Sequence, residues 1–244
     1  MAWLIDDFAA LPSSYRTILL VGGLIFFWVL EGSLRPIVVV DRRISHGALN
    51  LTLTLLQLII AMAAGVLIVA AASFTNSRGV GLLPMLDLPP AWQIDKGILL
   101  LDLFGGYLIH WLEHRFKWLW RFHVIHHTDT AVDVTTGLRH HPVETVFRLS
   151  AQLLAVCLGG IPIGIVLMYQ VLSVFFAQLT HANLRVVTRW DRWFSWILVT
   201  PNMHKVHHHF AKPLTDTNYG NVFSIWDRLF GTFAAVEPEA LHYG

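Results

Sequence analysis

The sequence predicts an all-α integral membrane protein: a helical bundle of four to five spans, including a helical hairpin, beneath a cytoplasmic histidine-rich cap. Three observations predict it. Of the 244 residues 55% are hydrophobic and only 14% are charged, where an ordinary soluble domain is ~25% charged. Several stretches stay apolar for the ~20 residues that cross a bilayer. The 14 histidines nearly equal the 17 lysines and arginines together and gather at the ends of those stretches. A lone cysteine, Cys157, excludes a disulfide scaffold and a thiolate iron–sulfur cluster. A net charge of +1 gives no electrostatic case for nucleic acid.

The first span runs from Thr17 to Leu34, with Glu31 near its end, and Asp6 and Asp7 ahead of it argue for a retained anchor rather than a cleaved signal. The second, Leu49 to Ala72, is uncharged, with Asn50, Gln57 and threonines its polar side chains. A third segment, about Ile94 to Trp111, is interrupted by Asp95, Lys96 and Asp102. Leu149 to Leu179 is uncharged and too long for one crossing, and Gly159-Gly160-Ile161-Pro162 cuts it into a hairpin. With no linker or internal repeat, residues 1–244 read as one membrane-embedded domain.

Orientation follows from the basic residues. The topology places Arg35, Arg42 and Arg43, then Arg115, Lys117, Arg121, Arg139 and Arg148, then Arg185, Arg189, Arg192, Lys205, Lys212 and Arg228 on one face. These are 14 of the 17 basic residues. That face is expected to be cytoplasmic, with the amino terminus outside and Pro84 to Pro90 in an external loop.

The histidines repeat with related spacing: His110-x3-His114, His123-x2-His126-His127 and His204-x2-His207-His208. Helical positions three and four apart share a face, so each cluster can aim imidazoles at one point. Imidazole suits iron, zinc, copper and nickel. One ion takes four to six ligands, so about ten convergent histidines imply two ions. Glu113, Asp129, Asp133, Glu144 and Asp227 are available to support them. His46 and His242 lack spaced companions and read as solvated interfacial side chains, and His140 and His209 as outward-facing neighbours of better-placed histidines.

Two other readings use the same residues. His110-Trp-Leu-Glu113-His114 matches the H-x-x-E-H pattern of inverted zinc peptidases, with Glu113 as general base, but leaves the other clusters unexplained. Paired axial haem ligands would explain two histidines per haem, not adjacent ones. A third reading, from a different class, is a non-catalytic metal- or lipid-binding membrane protein.

The ordered set His110-x3-His114, His123-x2-His126-His127, Arg139-x-His141-Pro142, His181-x-Asn183 and His204-x2-His207-His208 resembles the sterol desaturase and fatty acid hydroxylase superfamily. So does the tail Asn218-Tyr219-Gly220 followed by Ser224-Ile-Trp226-Asp227-Arg228 and Gly231-Thr232. The likeness covers about Asp102 to Phe233. It implies a non-haem di-iron oxygenase that uses O2 to hydroxylate or desaturate an unactivated C–H position of a membrane lipid, whether acyl chain, sterol or hopanoid. Carried over residue by residue, the ligands are His110, His114, His123, His126, His127, His141, His181, His204, His207 and His208. Asn218, Tyr219 and Asp227 would be positioning residues.

The chain carries no flavin fingerprint or haem motif, so an external donor is implied: a ferredoxin or a cytochrome b5-like protein with its reductase. The segment Arg115-Phe-Lys-Trp-Leu-Trp-Arg121 reads as an interface anchor or as the donor's docking site. Phe104, Tyr107, Phe175 and Phe176 are candidates to line a path for the lipid. The short chain and the lack of an endoplasmic-reticulum retrieval signal favour a bacterial inner membrane.

Overall fold

The computed structural model describes residues 2–34, 43–184, 186–236 and 241–243. Arg35, Arg42 and Arg185, used above for orientation, lie outside them. Among the described residues the secondary structure is helical, apart from two isolated β-bridges.

A short helix α1 (Ala2–Ala10) leads into α2 (Ser13–Ser33), and α3 (Arg43–Arg78) follows as the longest element. Its 36 residues reach ~54 Å, well past a ~30 Å hydrocarbon core. The turn α4 (Leu82–Met85) overlaps the start of the Pro84 to Pro90 stretch read above as a loop, and α5 (Pro90–Leu101) begins on a proline suited to a first helical turn. The helical path then widens to π-geometry over Asp102–Leu108, where the Ile109 N–H reaches the Phe104 carbonyl five residues back. It continues as α6 (Ile109–Arg115) and α7 (Lys117–His127).

The uncharged run after Arg148 is the expected hairpin: α8 (Pro142–Gly159) and α9 (Ile163–His181). Gly160 makes the turn at φ +62°, and a side chain there would strike the Val80 carbonyl. Glycine is required by both the left-handed backbone and the close approach. Short helices α10 (Thr188–Phe194), α11 (Pro201–His207) and α12 (Ile225–Leu229) complete the cap.

Four helical segments are long and apolar enough to cross a membrane: Ser13–Ser33, Arg43–Met85, Pro142–Gly159 and Ile163–His181. This matches four of the four to five expected. The expected third span, about Ile94 to Trp111, is helical through α5, the π-helical stretch and α6 but is not one of these four.

Polar side chains within the spans serve the cap. Glu31, buried at the end of α2, accepts hydrogen bonds from the Val134 and Asn183 backbone N–H groups at 2.8 and 2.7 Å. On α3, Asn50 donates to Thr135 Oγ1 and accepts from Arg139, while Gln57 donates to the Leu138 and His140 carbonyls. These bonds fix the loop between α7 and α8 against two spans, because a buried donor or acceptor left unpaired would cost about 1–3 kcal/mol. Asp102 does the same for the tail, accepting from the Val222 and Phe223 N–H groups, the Trp226 indole and the Tyr169 hydroxyl.

Candidate metal centre

Nine imidazoles from α6, α7, α9, α11 and its C-cap residue meet in two adjoining buried groups. His110, His114, His123, His127 and His207 form group I, and His126, His181, His204 and His208 form group II. Within each group the potential ligand atoms lie within 4.8 Å of one another. The groups share a wall, with ring centroids of His127 and His208 4.8 Å apart.

Sequence neighbours part company. His126 and His127 go to different groups, as do His207 and His208, because successive helical residues point in different directions. His204 and His207, three apart, also separate. The expectation that each cluster serves a single point therefore holds for His110 and His114 alone.

Six of the nine rings have Nδ1 engaged outward, while Nδ1 of His204 and of His208 is buried without a partner. Nδ1 of His110, His126, His181 and His207 donates to the carbonyls of Tyr219, Arg139, Ala177 and Thr217, at 2.9, 3.2, 2.7 and 2.7 Å. Nδ1 of His123 donates to Glu144 at 2.9 Å, and that of His114 to Asp216 at 3.3 Å. A proton held at Nδ1 leaves the Nε2 lone pair free. Those lone pairs face each other: Nε2 of His123 stands 3.1 Å from Nε2 of both His110 and His127. Nε2 of His181 stands 3.1 Å from those of His126, His204 and His208. Two nitrogens bound to one ion at ~2.0–2.1 Å stand about 3.0–3.4 Å apart. Nε2 of His114 and of His207 is buried with no hydrogen-bond partner. Facing acceptors and orphaned lone pairs are what a cation would resolve, so the residues fit a pair of transition-metal ions.

Burial keeps these rings neutral and ligand-ready. It is the first cause, followed by neighbouring imidazoles, that holds His127, His204, His207 and His208 well below the ordinary histidine value. His123 is pushed down to about 3, burial outweighing the attraction of Glu144.

His141 stands outside both groups. It is the N-cap of α8, where its Nδ1 accepts the Val143 N–H at 3.0 Å and its ring packs on Phe122. The preceding residue takes the interior place: His140 stacks on His126 at 4.5 Å and donates to Glu144 at 2.7 Å. Pro142 opens α8 and fixes His141 at its cap, so the chain presents His140 inward. His46 is also not a solvated side chain. It lies between Asp129 and Asp133, at 2.9 and 3.2 Å.

Of the predicted supporting carboxylates, Glu144 meets His123, and Glu113 and Glu144 are both held by Arg148, at 2.6 and 2.9 Å. Asp129 and Asp133 hold His46 instead. Asp227 accepts from the Tyr219 and Gly220 N–H groups and from Thr232, fixing the loop whose Tyr219 carbonyl meets His110. Sequence reasoning did not place Asp216, Arg148 or Trp120 against the histidine centre, although Trp120 lies in the segment read as an anchor or docking site. Only Arg148 carried a signal, its i, i+4 spacing from Glu144. Glu113 is engaged by Arg148, and His110 and His114 share their group with three more imidazoles. That is unlike the two-histidine zinc site of the peptidase reading.

Fold and site together define a helical membrane protein with a buried double histidine centre at one end of its spans. Residues 97–232 match the fatty acid hydroxylase family, and the chain belongs to it. It is 35% identical to ornithine lipid hydroxylase OlsE of Rhizobium tropici over 146 residues, 59% of this chain and 43% of that protein. It is 27% identical to alkylglycerol monooxygenase of Xenopus tropicalis over 242 residues, 98% of this chain and 50% of that protein. With cholesterol 25-hydroxylase-like protein 1, member 2 of Danio rerio it shares 28% over 178 residues, 60% of this chain and 56% of that protein. The chain thus spans about half the length of the curated relatives it matches. No solved structure matches it.

Proposed function

We propose that this chain hydroxylates an unactivated C–H position of a membrane lipid, using O2 and two iron ions held by the nine converging imidazoles. The carrying observation is the convergence of nine imidazoles in two adjoining groups, six of them with Nδ1 donated outward so that Nε2 is left as the inward ligand atom. Iron bound there would supply the redox step that acids and bases cannot perform on an alkyl chain. The chain's own residues do the rest. Glu144 and Asp216 orient His123 and His114, the carbonyls of Arg139, Ala177, Thr217 and Tyr219 orient four more imidazoles, and burial keeps water away. His141 is assigned to capping rather than ligation.

Hydroxylation is favoured over desaturation because the similar proteins named above are hydroxylases or a monooxygenase by name. The basic residues support a cap facing the cytoplasm; the membrane is taken as a bacterial inner membrane, and the chain acts as one membrane-embedded unit. Electrons come from a ferredoxin or a cytochrome b5-like protein with its reductase. The test is paired: metal analysis of the purified protein, and lipid mass spectrometry of cells with and without it. About two irons per chain and an O2-dependent lipid gaining one oxygen are expected. A metal-free protein, or metal without any changed lipid, would favour the non-catalytic reading.

A further inference from the structure

Where α6 passes into α7 the chain reads Arg115-Phe116-Lys117-Trp118-Leu119-Trp120-Arg121, three cations and no acid. Arg115, Phe116, Lys117, Trp118 and Arg121 are exposed. Trp118 is braced by Phe147 and Phe122, at ring distances of 5.0 and 6.0 Å, so the patch has a fixed shape. Trp120 lies half-buried beneath it. Its ring is 4.7 Å from that of His114, 5.3 Å from His127 and 6.0 Å from His123. One indole therefore touches three imidazoles of group I and also reaches the surface. Among the described residues the ring neighbours of group II are imidazoles alone.

We propose that this segment is the docking surface for an acidic one-electron carrier protein, and that Trp120 bridges the carrier to group I. The inference rests on the hydroxylase reading. Each turnover of that reaction consumes one O2, two electrons and two protons, placing one oxygen in the C–H bond and releasing the other as water. Each docking event oxidises the carrier by one electron and reduces by one electron a metal ion held at group I. Trp120 is neither oxidised nor protonated; its ring only shortens the gap to be tunnelled. Complementary charge steers an acidic carrier to the cations. Anionic headgroups would meet the same cations, but an indole leading to buried imidazoles serves electron transfer and not lipid adhesion.

The test uses the full, metal-loaded chain in phosphatidylcholine nanodiscs, with reduced plant-type ferredoxin as probe and its redox-inert gallium form for binding. Metal content is measured in every variant. The association rate should fall with added salt and drop about 10–100-fold when Arg115, Lys117 and Arg121 are all changed to Glu. Reduction by dithionite should be unchanged in that variant. Trp120→Leu should leave binding of the gallium form intact while slowing electron transfer at saturating carrier about tenfold or more, and Trp120→Phe should recover most of the rate. Salt-independent association, or a Trp120→Leu variant as fast as wild type, would overturn the proposal. So would charge reversal that spares carrier binding and weakens adhesion to phosphatidylglycerol vesicles, which would assign the patch to the membrane surface. If wild type takes no electrons even from dithionite, the hydroxylase reading itself fails, and this proposal with it.

Discussion

His123 donates its Nδ1 proton to Glu144 at 2.9 Å, and both side chains are wholly sealed from solvent. The same carboxylate oxygen accepts from His140 and from Arg148. Since His140 stacks on His126, Glu144 bears on both histidine groups while touching only one. Glu144→Gln should lower metal affinity about 10–100-fold, with the loss greater at group I. Chelator competition followed by metal analysis checks this. An unchanged affinity would remove Glu144 from the centre.

His141 and His181 are expected to behave differently, although the family resemblance groups them. His181→Ala removes the nitrogen around which group II is built and should lose about half the bound metal. His141→Ala should retain both ions and cost about 0.5–2 kcal/mol through loss of a helix N-cap. Metal analysis and thermal melts of the two variants decide it, and metal loss in His141→Ala would return that residue to the ligand set.

Asp227 sets a pH dependence. Burial, opposed by bonds from Thr232, Gly220 and Tyr219, lifts its carboxyl from 3.8 to about 6. A carboxyl raised on folding binds its proton more tightly in the native state. Its contribution is therefore present below pH 4 and is lost as pH rises to about 6, by about 3 kcal/mol. The stability of wild type relative to Asp227→Asn should fall across that interval and then level off. Denaturant unfolding in detergent from pH 4 to 7 measures it, and a difference that rises or stays flat would contradict the assignment.

Gly160 closes the α8–α9 turn with positive φ against the Val80 carbonyl. Gly160→Ala adds left-handed strain of about 1–2 kcal/mol and displaces the loop after α3. A lowered melting temperature with metal content preserved is expected. Loss of metal as well would mean that the outer turn and the cap are coupled through the spans.

Apolar length and the absence of charge were enough to read four spans, though not to tell that Ile94 to Trp111 falls short of one, and the hairpin was legible because glycines and a proline interrupt an uncharged run too long for one crossing. The histidine motifs were legible because their spacing matches helical geometry. Placement was harder to read. His46, alone in the sequence, proves to be clamped by Asp129 and Asp133 from 83 and 87 residues away. Trp120 and Asp216 carried no local mark of their contact with histidine rings. The π-helical stretch before His110 gave no compositional sign either.

From the chain's own chemistry come the membrane class, the helices and the abundance of imidazole at one interface, because these depend on residue type and short-range spacing. Folding alone sorts nine imidazoles into five and four, admits His140, leaves His141 at a helix cap and lays Trp120 over group I. Those outcomes depend on side-chain direction, which turns from one helical residue to the next. They depend equally on carbonyls and carboxylates brought in from remote segments, as when Tyr219 meets His110 from 109 residues away.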